Sequence, residues 1–206
     1  EAFAEAHGMI PIHVTEGGKY LAVPNRIDDL NYTREQSEKM WDTASIKYCL
    51  NIEGMVKTLV CGAAMGSTFR RKEIPAMLRS KSIETINGRD LENYVCLRRA
   101  VLARLKEEGR LSDQWRHRVS INAVFRKMAL AEIRQDLAVA REQGNAQEED
   151  AVLARVGHLR WRHREELKKM PQSYASREME DSLSAQEEMA RANPGLHWMQ
   201  PRYAHG

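Results

Sequence analysis

His163 and Glu166 are the residues whose types and spacing come nearest to chemistry. In His163-Arg164-Glu165-Glu166 they stand three positions apart, so on a helix they share one face, as an acid–base pair or two metal ligands would. One such pair supplies only two ligands. A carboxylate-bridged dimetal site in a helical bundle needs the motif twice, with further glutamates. A histidine packed in an apolar stripe is therefore the favoured reading. His158 lies five positions earlier and points elsewhere, while His7, His13, His117, His197 and His205 are scattered and no HExxH occurs.

Gly17-Gly18-Lys19 has the residue types of a phosphate loop but not the GxxxxGK[ST] spacing, so it reads as a hairpin turn. No GxSxG elbow, Cys-His constellation or kinase signature is present. Cys49, Cys61 and Cys96 are an odd number at long spacings without a CxxC, which points to reduced, buried thiols in an intracellular compartment. The expectation is a protein with no enzymatic activity, no metal and no cofactor.

The chemistry that remains is recognition. Arg160, Arg164 and Lys168 recur at i, i+4 and i+8 and make a basic ridge, with Trp161 and Arg162 beside it. Such a ridge could hold RNA phosphates or an anionic lipid surface, with Trp161 stacked on a base or a guanidinium. The favoured reading is instead a face paired with Glu165, Glu166 and acidic residues further on, or with another protein subunit. Arg116-His117-Arg118 beside Trp115 repeats the composition on the preceding helix. A second candidate contact is the chain's end, where Leu196, Trp198, Met199 and Tyr203 would serve as a docking tail.

Composition sets the frame for these residues. The chain has 206 residues, 42% hydrophobic and 30% charged, with ten Met and only three Phe, which suits a modest core inside long solvated helices. Net charge is +3, too mild to require a nucleic-acid partner by itself. Arg outnumbers Lys by about two to one, which suits bidentate pairing with carboxylates or phosphates; GC-rich coding would produce the same ratio. The best apolar run, Met55 to Met65, is broken by Lys57 and falls short of the ~20 residues that span a bilayer. A chain beginning at Glu1 fits a matured product, or a trimmed one, and the former suggests the mitochondrion.

The elements that must position the ridge follow from periodicity. Ile10 to Val14 and Tyr20 to Val23 are β-prone runs around Gly17-Gly18 and predict a hairpin or extended arm, which Pro11 and Pro24 would keep at an edge. Thr33 and Gln36 fit a capping box that opens a helix through Met40, Trp41, Ala44 and Tyr48. Ile52, Met55, Val56, Leu59, Val60 and Ala63 predict a further helix, with Gly54, Gly62 and Gly66 permitting close packing. A connector with Arg70, Arg71 and Lys72 runs through a short helix at Pro75 to Asn87-Gly88, and Asp90 caps a helix closed by Gly109. Ser112 or Asp113 opens a helix reaching Gln143, roughly 45 Å long at 1.5 Å per residue. After Gly144-Asn145 a second helix carries Val152, Val156, Leu159, His163, Leu167 and Met170 to Pro171. Ser176 to Ala192 is a weakly amphipathic, acidic third helix.

The expected fold is thus mostly α: a helical bundle with a long antiparallel hairpin, an extended or β-hairpin N-terminal arm and an irregular C-terminal tail. Its divisions would be an arm over 1–32, a small helical domain over 33–109, a hairpin with third helix over 110–192 and a docking tail over 193–206. The expected function is that of a non-catalytic accessory subunit of a large mitochondrial complex on the matrix side, such as ATP synthase or a respiratory complex. The alternative is an RNA-contacting peripheral protein of the mitochondrial ribosome. Partners would be other protein subunits, RNA or an anionic lipid surface.

Overall fold

The computed structural model describes residues 8–22, 32–59, 63–109 and 112–170. The acidic stretch Ser176 to Ala192 and the tail bearing Leu196, Trp198, Met199 and Tyr203 lie outside the described residues, as do Pro24, Val60, Cys61 and Gly62. Within them the protein is mostly α-helical.

The N-terminal arm is not a hairpin. Ile12–Val14 forms a 3-10 turn and Glu16–Ala22 a helix, α1. Thr15 is the reason: its hydroxyl accepts from Gly18 N at 3.1 Å and donates to Ile12 O at 2.6 Å, so it caps the helix start. A Cβ on Gly18 would collide with the backbone of Ile12 and His13, so this glycine permits the close approach of turn and helix. Tyr48 donates its hydroxyl hydrogen bond to Ile10 O and ties the arm to the next helix.

That helix, α2 (Arg34–Leu50), opens on the expected capping box, with Gln36 N donating to Thr33 Oγ1 and Thr33 N to Gln36 Oε1. The helix expected after it is absent. Asn51 caps α2, Gly54 takes φ +70°, and Gly54–Val56 becomes a strand, β1, parallel to β2 (Ile83–Ile86). A Cβ on Gly54 or Gly66 would meet nothing within 4 Å, so neither glycine serves close packing.

The connector holds a turn of π-helix, Phe69–Glu73, in which Ile74 N donates to Phe69 O; it runs into the short α3 (Ile74–Met77). β2 turns through Asn87 (φ 50°) and Gly88 (φ 72°) into β3 (Arg89–Asp90), and the sheet order is β1-β2-β3. Left-handed conformations at both central residues are what an Asn-Gly turn supplies. α4 (Leu91–Glu107) follows; Asp90 occupies its cap position without a side-chain cap bond, and Gly109 ends it at φ +62°.

α5 (Asp113–Glu142) and α6 (Ala146–Leu167) match the two long periodic segments. Arg141 pairs with Glu149 at 2.7 Å, Asp136 with Arg155 at 2.7 Å, and Arg126 with His163 at 3.1 Å. Positions on one helix fall as those on the other rise, so the two run in opposite directions. A shared core joins them to the smaller elements: Ile74, Ile86 and Tyr94 pack with Phe125, Ile133 and Val156. A satellite cluster of Leu105, Val119, Leu167 and Met170 closes the end away from Gly144.

Candidate functional site

The site begins with the π-turn, because its side chains reach several surrounding elements. Phe69 meets Phe125 of α5 edge-on, with ring centroids 6.3 Å apart. Lys72 lies 3.6 Å and Arg71 3.8 Å from the Asp42 carboxylate of α2, to which the Thr68 hydroxyl also bonds at 3.1 Å. Glu73 is hydrogen-bonded by the Ser45 hydroxyl; burial raises its pKa, and the Asp42 carboxylate adds to the rise. A widened turn lets successive residues address both sides, one reason such turns recur at functional positions.

Arg70 points the other way and is 3% exposed. Its Nη1 lies 2.8 Å from both carboxylate oxygens of Glu166, with hydrogen-bond geometry to Oε2, and donates to Asn122 Oδ1 at 3.0 Å. Its guanidinium carbon sits 3.6 Å from the Phe125 ring centroid, close enough for a cation–π contact. Burial lowers its pKa, Glu166 opposes that, and Arg126 and Arg162 push the same way as burial. Arg70 Nε, Asn122 Nδ2, Arg162 Nε and His163 Nε2 are enclosed without a hydrogen-bond partner. Glu166 Oε1, an acceptor, is likewise enclosed without one.

His163 and Glu166 do share a face, but each faces an arginine: Arg126 Nη1 lies on His163 Nδ1, and Arg70 on Glu166. His163 is buried at 5% exposure. Among the described residues no group of three or more His, Cys, Asp or Glu side chains could hold a metal ion. A second ionic cluster lies nearer Gly144. Arg155 pairs with the buried Glu132 and with Asp136, and Lys57 reaches Asp136 at 2.9 Å.

The sequence-predicted ridge is divided. Trp161, Arg164 and Lys168 stand exposed, while Arg160 and Arg162 are half-buried. Burial lowers the pKa of Arg160, and Arg164 lowers it further. Trp161 is 42% exposed, with the His158 ring 5.8 Å and the Arg162 guanidinium 5.7 Å from its centroid. Lys168 pairs with Glu165 at 2.6 Å, whereas Glu166 turns inward to Arg70 and does not neutralise the ridge. Arg118 lies 5.3 Å from the Trp115 ring centroid, repeating the arrangement on α5.

Sequence reasoning missed Arg70, Asn122, Arg126, Glu132 and Arg155. The available signal was Glu132 and Glu166 inside otherwise apolar stripes, since a carboxylate there requires a cation from another element. Of the thiols, Cys49 is buried as expected, with its pKa pushed up to about 12 by burial and by Glu73, whereas Cys96 is exposed beside Glu92.

Two further features are open to partners. A hollow of about 730 Å³ lies between the N-terminal turn and α2, with Met40, Ala44 and Tyr48 half-buried in it and Lys39 and Lys47 exposed along it. Around β1, Leu50, Met55 and Leu59 are 41%, 83% and 62% exposed. No described helix is long and apolar enough to cross a membrane. No family model matches the chain, and neither a curated protein nor a solved structure matches it.

Proposed function

We propose that the protein is a non-catalytic structural subunit of a large organellar assembly, in the mitochondrion, where its long helices act as a strut. One observation carries the reading: the buried polar groups are used to tie segments together. Among the described residues, every buried polar or charged side chain except Ser120 bonds a different segment: Ser45 to Glu73, Thr58 to Asn87, Arg70 to Glu166 and Asn122, Glu132 to Arg155, and His163 to Arg126. Cross-links of this kind hold the segments in one arrangement. They leave recognition to the surface.

Leu50, Met55 and Leu59 supply a place for a protein partner, because β1 is an edge strand whose Met55 faces solvent, and Leu50 at the end of α2 and Leu59 just after the strand are exposed beside it in sequence. An energy-transducing membrane complex such as ATP synthase or a respiratory complex would accommodate such a subunit on its matrix side. The test is gentle purification of the native protein with identification of what accompanies it, beside a Met55→Asp/Leu59→Asp variant. The variant should keep the parent's melting temperature and fail to incorporate. A lone 23.7 kDa species, or normal incorporation of the variant, overturns the reading. Activity lost on His163→Ala with folding intact would overturn its non-catalytic part, and tagged full-length protein outside the mitochondrion would overturn its location.

A further inference from the structure

The hollow between the N-terminal turn and α2 has the size of a small-molecule site. At about 730 Å³ it falls within the ~300–1,000 Å³ of ligand pockets, which are concave and mostly apolar. Met40, Ala44 and Tyr48 recur at every fourth position, so they lie along one side of α2 and form a floor. Ile12 and the start of α1 form the opposite wall, where a Cβ on Gly17 would meet nothing within 4 Å. The α2 part of the lining runs from Gln36 to Asn51, roughly 22 Å of helix at 1.5 Å per residue, so the hollow is long rather than round.

Its polar groups are of two kinds. The neutral ones are largely committed within the protein. The Thr15, Thr43 and Tyr48 hydroxyls donate to Ile12 O, Lys39 O and Ile10 O, Gln36 Oε1 accepts from Thr33 N, and Asn51 Nδ2 donates to Lys47 O. Lys39 and Lys47 are different: both are exposed, and neither ammonium pairs with a carboxylate among the described residues. No Asp or Glu stands among the described lining residues either. Two cations beside an apolar floor therefore await an anion that carries apolar surface.

We propose that this hollow binds an acyl-chain carboxylate, its chain along Met40, Ala44 and Tyr48 and its head paired with Lys39 and Lys47. A methylene chain needs only burial, and each CH2 taken from water favours binding. Lysine stems are flexible and can lie on apolar surface while bringing both ammoniums to one head group. An extended peptide would bring a backbone N–H and C=O at every residue, and the lining has few uncommitted polar groups to meet them. A phosphate or other compact anion would leave the floor in water. This inference does not depend on the β1 surface or on the structural-subunit reading.

The experiment is isothermal titration calorimetry of the full chain with decanoate below its micelle concentration, beside decanol as the uncharged chain. One decanoate should bind per chain, and decanol more weakly. Lys39→Gln/Lys47→Gln should weaken decanoate by about two- to thirtyfold, as two exposed ion pairs predict, and leave decanol unchanged. Thr43→Trp brings an indole into the hollow from an exposed lining position, so both ligands should be lost while the free protein melts as the parent does. Decanoate should raise the parent's melting temperature in proportion to the logarithm of its excess over Kd. Absence of saturable binding overturns the proposal, as does unchanged decanoate affinity in either variant. Decanol binding as tightly as decanoate overturns it in favour of a neutral lipid. Tighter binding of an acidic amphipathic peptide or of phosphatidylglycerol vesicles than of decanoate also overturns it, replacing the free carboxylate with a protein partner or a membrane surface.

Discussion

Arg70 and Glu166 meet across 96 positions of sequence, with the arginine Nη1 2.8 Å from the carboxylate, and both are almost wholly buried. This pair joins the π-turn to α6, and through Asn122 it also engages α5. Neither charge can return to water without parting the helices.

Removing one partner should therefore be worse than removing both. Glu166→Ala leaves Arg70 buried without its counter-charge and should lower unfolding free energy by about 3–5 kcal/mol. Arg70→Met/Glu166→Leu, which replaces the pair with apolar volume, should recover most of that loss. Urea denaturation of the parent and the two variants makes the comparison; a double variant as unstable as Glu166→Ala would show that the pair's geometry, not its charge balance, sustains the junction.

Asn87 offers a second test because two effects can be separated at it. Its side chain accepts from Thr58 N at 2.8 Å and donates to Thr58 Oγ1 and Met128 O, and its φ is 50°. Asn87→Gly keeps the backbone conformation and strands the buried partners, a loss of about 1–3 kcal/mol. Asn87→Ala adds the left-handed backbone penalty, about 1 kcal/mol more. Equal melting temperatures for the two variants would remove backbone conformation from the account.

Glu73 predicts the sign of one pH effect. Burial raises its pKa above the ordinary value, so the folded state holds the proton more tightly than the unfolded chain does. Its contribution is fully present below the unfolded pKa and is lost as pH rises through the folded one. The stability of Glu73→Gln relative to the parent should accordingly increase as pH rises from about 4 towards 8, starting near the ordinary glutamate pKa. Chemical denaturation at several pH values measures the difference, which cancels the other carboxylates; a flat or falling difference contradicts the assignment.

The basic ridge was legible in the sequence because Arg160, Arg164 and Lys168 lie on one helix at intervals fixed by the helical repeat. The division of that ridge was not. Which face of α6 turns inward is a tertiary matter: Arg126 meets His163 and Arg70 meets Glu166 from 37 and 96 positions away.

Local chemistry determined much of the rest. Thr33 and Gln36 cap a helix with their own atoms, Gly109 and Gly144 end helices through backbone conformations they alone adopt easily, and the apolar stripe from Val152 to Met170 needs only the 3.6-residue period. Tertiary structure decided where local signals were ambiguous. The 52–63 stretch has apolar residues that suit either period, and Gly54 took a strand because Ile83 to Ile86 offered a parallel partner 29 positions later. Gly17-Gly18 is a different case: it became a helix start through local bonds of Thr15 to Gly18 N and the Ile12 carbonyl, a cap that the hairpin reading passed over. The nine Lys and Arg of 113–127 and 156–170 likewise come to one end of α5 and α6 only through folding. Each segment carries its charges in the sequence, but the bend at Gly144 sets them side by side.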